Sequence, residues 1–141
     1  SENLHVFIKE LLNKNNTKFN HLSAISVSRG PGSYTGLRIG LSAAKGLCYG
    51  LDIPLISISS LKILANSVKF DGFTVATMDA RRDEVYSCIY DSNLNVIREE
   101  KPEIINHESF IDISKNNKLL FILHKKTWTA GWILLIKFFK I

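Results

Sequence analysis

Leu4, Phe7, Ile8, Leu11 and Leu12 recur at i, i+3, i+4, i+7 and i+8 and predict an amphipathic helix running out at Asn13-Lys-Asn-Asn16. Ala24-Ile-Ser-Val-Ser28 alternates and is rich enough in β-branched residues to be a strand. The turn residues Arg29-Gly-Pro-Gly-Ser-Tyr-Thr35 follow, and a helical pattern runs from Gly36 to Gly50. Pro54 to Ile58 is an apolar run of strand length. Ser59 or Ser60 can then cap a helix reaching about Lys69, with Leu61, Leu64, Ala65 and Val68 on one face. Strand, helix, strand and helix in that order predict parallel pairing and an α/β layer. Asp71-Gly72 breaks the pattern and is the expected boundary between a first region (1–71) and a second (72–123).

The second region changes style. Phe73–Met78, Val85–Tyr90 and Val96–Glu99 read as three strands, with Asp91-Ser-Asn93 as the tight turn between the last two. A short helix from about Glu108 to Ser114 and a strand from Lys118 to Ile122 follow. Residues 124–141, HKKTWTAGWILLIKFFKI, form a distinct basic and apolar tail, whose apolar run Trp132–Ile136 with Phe138 and Phe139 is too short to span a bilayer. Lysines beside aromatics suit an interfacial helix; a truncated gene or shifted frame is the preferred account.

Charge changes the picture less than its total suggests. The 141 residues carry 18 Lys+Arg against 13 Asp+Glu, a formal net charge of +5. Residues 115–141 hold six of those lysines and no acid, so the rest of the chain balances near −1 and is not expected to be a basic nucleic-acid binder as a whole. The length suits one domain or two small ones, and the 45% apolar content suits a globular core. Cys48 and Cys88 lie among apolar neighbours and are expected to be free thiols, which together with the lack of a leader-like start points to the cytoplasm.

The Gly36–Gly50 helix has an unusual surface. At about 100° per residue, Arg38, Ser42, Lys45 and Tyr49 share a narrow polar side, and Leu37, Leu41, Ala44 and Cys48 share a second. Gly36, Gly40, Ala43 and Leu47 share a third, with Ile39 beside it. Each interior glycine costs about 1 kcal/mol against alanine, so the pattern implies close approach, either to another backbone or to the helix's own sheet. Before it, Pro31 pushes Gly30 out of the α region, Gly32 is free to take positive φ, and Ser33 or Thr35 can cap.

Such a turn can hold an anion on backbone N–H groups, which makes Gly30, Gly32 and Ser33 candidates. It lacks the Lys-Ser/Thr of a Walker A loop. It partly fits a dinucleotide turn, with Asp52 about 20 residues on, but Thr35 stands where the third glycine belongs. Arg81 and Arg82, between two strands, are candidates for phosphate or a partner carboxylate, or simply a solvated turn with local Arg–Asp pairing. Histidines 5, 21, 107 and 124 are scattered, and neither a metal-ligand spacing nor a nucleophile constellation is visible. No catalytic residue and no metal site is expected.

RGPGSYTGLRIGLSAAKGLCYG (29–50) and Met78-Asp-Ala-Arg-Arg-Asp-Glu-Val-Tyr86 together resemble the two signature stretches of the TsaB family, bacterial proteins required for tRNA threonylcarbamoyladenosine synthesis. The resemblance runs in order from residue 1 to about 121. It implies a ribonuclease-H-like, actin/Hsp70-related α/β fold, here without the three opening strands of the first lobe and with a divergent C-terminal end. It further implies a non-catalytic scaffold that pairs with the transferase TsaD. The pairing surface would be the first two helices, here Leu4, Phe7, Ile8 and Leu11 with Thr35, Gly36, Arg38, Ile39, Gly40, Ala43 and Leu47. TsaE and tRNA would join through the complex, ATP would be used there and not bound by this chain, and a homodimer could form through the same helices. A small-molecule kinase or peptidase of the same superfamily using the Gly30–Gly32 turn, or a non-functional fragment, is the alternative.

Overall fold

The computed structural model describes residues 3–106, 108–126 and 132–139, with the backbone alone from 125 onward. The chain forms two compact units, 1–59 and 60–141.

In the first unit α1 (Leu4–Lys14) precedes β1 (Ile25–Gly30), α2 (Tyr34–Leu51) and β2 (Leu55–Ser59). β1 and β2 pair in parallel from Ile25↔Leu55 to Gly30↔Ser59, as the strand–helix–strand order predicts. The helix starts at Tyr34, two residues before the expected Gly36, because the Ser33 Oγ accepts from the Gly36 N–H at 3.4 Å and so caps the turn ahead of it. It ends at Asp52, a left-handed C-cap at φ 52°. The positive φ expected of Gly32 falls on Gly30 instead, at +103°, where an added Cβ would meet Leu37 Cδ1 at 3.1 Å.

The second unit holds α3 (Ser60–Ala65), β3 (Phe73–Arg81), β4 (Glu84–Tyr90), β5 (Val96–Glu103), α4 (Ile111–Ser114), β6 (Leu119–Lys126) and β7 (Trp132–Phe139). Its five strands lie in the order β5-β4-β3-β6-β7. β3, β4 and β5 are joined as hairpins, β6 runs parallel to β3 from Phe73↔Leu119, and β7 pairs antiparallel with β6. In the expected tail, 132–139 therefore form an edge strand, with 127–131 and 140–141 outside the described residues.

Period-two alternation divides the core between the two faces of this sheet. Ala76, Cys88, Tyr90, Leu120 and Ile122 face Leu61, Leu64 and Ala65 of α3. Val75, Ile89 and Leu119 face Phe110, whose ring meets Phe121 edge-on at 5.2 Å. The helix α3 thus belongs to the second unit's core, and the Asp71-Gly72 break lies after it, inside that unit. There an added Cβ on Gly72 would sit 2.6 Å from the Lys118 carbonyl oxygen, which already accepts from the Phe73 N–H at 2.9 Å. β5 outruns its expected end at Glu99 because an edge strand tolerates both Pro102 and charges. α3 stops at Ala65 and not near Lys69.

A candidate pairing surface on the first two helices

Each side of α2 meets a different environment. Ala44 and Cys48 are buried, and α2 packs along β1 and β2; the Cys48 thiol reaches the Pro54 carbonyl oxygen at 3.6 Å. The Gly36/Gly40/Ala43/Leu47 side is not used this way. A Cβ built on Gly40 or Gly46 meets nothing within 4 Å, so these glycines do not seat the helix on its own sheet. The helix has one buried side within its unit.

Along that unused side, Ile39, Ser42, Ala43, Gly46 and Leu47 of α2 and Leu4 and His5 of α1 line an open groove of about 400 Å³. α1 has no buried residue. Its Leu4, Ile8 and Leu12 are half-buried, while Phe7 and Leu11 are 61% and 62% exposed. Of the eleven residues expected to form the pairing surface, Leu4, Ile39, Ala43 and Leu47 come together at the groove. Gly40 and Ile8 are half-buried, and Phe7, Leu11, Thr35 and Gly36 are exposed. Arg38 turns to the outward side: its guanidinium lies 5.3 Å from the centroid of the Tyr34 ring, and Nη1 donates to the Tyr34 hydroxyl at 3.4 Å.

The other candidates are placed separately. At the β1–α2 turn, Ser33 is engaged by the helix: its hydroxyl accepts from Gly36, and its carbonyl accepts from Leu37 at 2.8 Å. Gly30 is buried and donates to Ser28 Oγ at 3.4 Å. This geometry caps a helix with the groups an anion would otherwise use. Asp52, as the C-cap, is spent on the helix end and does not stand at the end of a strand.

Arg81, Arg82 and Asp83 form the exposed tip of the β3–β4 hairpin with successive φ values of 71°, 55° and 63°. Asp79 Oδ1 accepts from the Arg81 backbone N–H at 2.7 Å, which fixes the turn and leaves both guanidinium groups at the surface.

One polar cluster escaped the sequence reading. Arg98 Nη2 donates to Ser87 Oγ at 2.7 Å and to the Glu103 carboxylate, and Ser87 donates to the same carboxylate. Lys101 Nζ lies 3.2 Å from Glu103, and the Arg98 guanidinium lies 4.6 Å from the centroid of the Phe110 ring. Register shifts between β4 and β5 bring these side chains together, and a bulge leaves no mark in residue spacing. Beside it, burial pushes the Cys88 thiol up, and its Sγ donates to the Arg98 carbonyl at 3.2 Å. Among the described residues no three His, Cys, Asp or Glu side chains group as a metal site, and no helix is long and apolar enough to cross a membrane.

Comparison with known proteins bears on this arrangement. Residues 1–126 match the family described as TsaD, tRNA N6-adenosine threonylcarbamoyltransferase. The tRNA threonylcarbamoyladenosine biosynthesis protein TsaB of Bacillus subtilis is 42% identical over 97 residues, which is 68% of this chain and 42% of that protein. The TsaB of Escherichia coli is 37% identical over 117 residues, covering 76% of this chain and 50% of its own. The solved structure of YeaZ from Pseudomonas aeruginosa aligns with a TM-score of 0.68 at 27% identity, over 77% of this chain and 54% of that one. The chain spans about half the length of the relatives it matches. Its α/β layers are those of the actin-like fold of these neighbours. With that fold, a family match across almost the whole chain and TsaB relatives at this level of identity, the chain belongs to the TsaB family within the wider TsaD family.

Proposed function

We propose that the chain is a non-catalytic partner subunit that docks a TsaD-type transferase on α1 and α2. The transferase would then place threonylcarbamoyl on adenosine 37 of tRNAs reading ANN codons, with TsaE and its ATP joining the complex and no cofactor held by this chain. One observation carries the reading: the Gly36/Gly40/Ala43/Leu47 side of α2 is small and apolar, yet a Cβ at Gly40 meets nothing from the chain itself. Small residues on an unused helix side allow a second helix to approach closely, and the groove with the exposed Phe7 and Leu11 supplies apolar area for it. A second copy of this chain is the other occupant this surface suits.

Light scattering after size exclusion, on the chain alone and mixed with its cognate TsaD, tests the reading. A stoichiometric heterodimer is expected, and Gly40→Leu should abolish it while leaving the circular dichroism spectrum unchanged. Unaltered pairing by Gly40→Leu would remove α2 from the interface. ATP turnover or peptide cleavage by the isolated chain would favour an enzyme in place of a scaffold.

A further inference from the structure

The outward side of α2 carries Tyr34, Arg38, Ser42, Lys45 and Tyr49, at spacings that keep them in one line about 22 Å long. All five are exposed, and the two tyrosines are 74% and 93% exposed although neither covers any core. Exposed tyrosines thus stand at both ends of a stripe that carries Arg38 and Lys45. Their flat faces and polar tips suit a surface that is itself flat and polar.

Among the described residues neither Arg38 nor Lys45 forms an ion pair, and the first carboxylate after the stripe is Asp52, the C-cap of α2. From residue 11 to 51 the sequence contains no Asp or Glu, while it holds Lys14, Lys18, Arg29, Arg38 and Lys45. Residues 60–114 carry more carboxylates than cations. The near-neutral balance outside residues 115–141 therefore hides a carboxylate-free stretch in the first unit and an acidic segment at 60–114. A partner matched to this stripe is a polyanion with exposed planar groups. Phosphates would meet Arg38 and Lys45, and unpaired bases would stack on the tyrosine rings. The Arg38–Tyr34 contact already sets a charge beside an aromatic face at 5.3 Å.

We propose that the Tyr34–Tyr49 stripe of α2 is a direct RNA contact, used on the tRNA substrate while the groove side of the same helix holds the protein partner. This rests on the pairing reading above and extends it, because that reading brings RNA to the chain only through the complex. The stripe borders the groove at Ser42, which lines both, but Lys45 and Tyr49 stand clear of it, so their loss is separable from pairing.

The test uses Lys45→Glu with Tyr49→Ala, both at exposed positions away from the groove, and leaves Arg38 in place. Binding of an unmodified tRNA transcript reading an ANN codon to the TsaD complex is measured by anisotropy across a KCl series. The double variant is expected to weaken binding by about tenfold near 0.1 M salt and to lower the slope of log K against log salt by about one. Heterodimer formation by light scattering should be unchanged. Equal affinity and slope with intact pairing would overturn the RNA contact. Loss of pairing would overturn it too, by assigning the stripe to a protein interface. If the parent chain itself fails to pair, the pairing reading falls separately, and the same salt series on the chain alone decides the stripe: a lower slope in the variant supports it and an equal slope rejects it.

Discussion

Glu103 is held in the ionised form by its neighbours. Burial alone would raise its carboxyl, but hydrogen bonds from Ser87, Arg98 and Lys101, with the charge of Arg98, outweigh that and hold it below the ordinary carboxylate range. The folded-state value is therefore lower than the unfolded one. The cluster's contribution is complete above the unfolded value and disappears as pH falls through the folded value. Glu103→Gln should destabilise the β4–β5 pair by about 2 kcal/mol at neutral pH, and the difference from the parent should shrink on acidification. Amide exchange of β4 and β5 at several pH values reads this directly, and a gap that stayed constant with pH would show that charge plays no part. Gly72 makes a steric counterpart, since its Cβ position is occupied by the Lys118 carbonyl oxygen. Gly72→Ala should cost more than about 1 kcal/mol in urea unfolding, because backbone has to move.

At the scale of elements, α2 offers two substitutions that act in opposite directions. Gly46→Ala adds a methyl where nothing lies within 4 Å and restores helix propensity, so stability should rise by up to about 1 kcal/mol. Ala44→Leu overfills a buried seat and should cost about 1–3 kcal/mol. Thermal melts of both variants check which side of α2 the chain itself uses. The same helix shows what could be seen in the sequence. Its strand-before, strand-after setting was legible because alternation and turn residues are local signals, and so was its threefold division of faces. What was not legible is which apolar side packs internally: Ala44/Cys48 and Ala43/Leu47 are alike in composition, and only the placement of β1 and β2 separates them. The Arg98–Glu103–Ser87 cluster depends on a bulged register, whereas helical spacing already puts Arg38 on the polar side and only the family resemblance counts it in the pairing surface. β5 was cut short because its charges and proline read as a loop, though an edge strand tolerates both.

Across the molecule, burial is distributed unevenly. Both core clusters consist of residues from 60 onward, whereas α1 has no buried residue and the first unit rests on a two-stranded sheet. Two strands alone are marginal in water, and here α2 is the layer that covers them. Native-state hydrogen exchange should therefore show protection concentrated in β3, β4 and β6, with α1 and β1 opening at much lower free energy. Addition of the pairing partner should raise protection in α1 and α2 selectively; uniform protection in the chain alone would contradict this account. The seat of α3 has a practical side as well. A fragment cut at the visible break and starting from Phe73 would leave Ala76, Cys88 and Ile122 without a roof. One starting from Ser60 keeps Leu61, Leu64 and Ala65 over them, so the place to divide this chain in the laboratory is the Ser59–Ser60 bond and not the Asp71-Gly72 break.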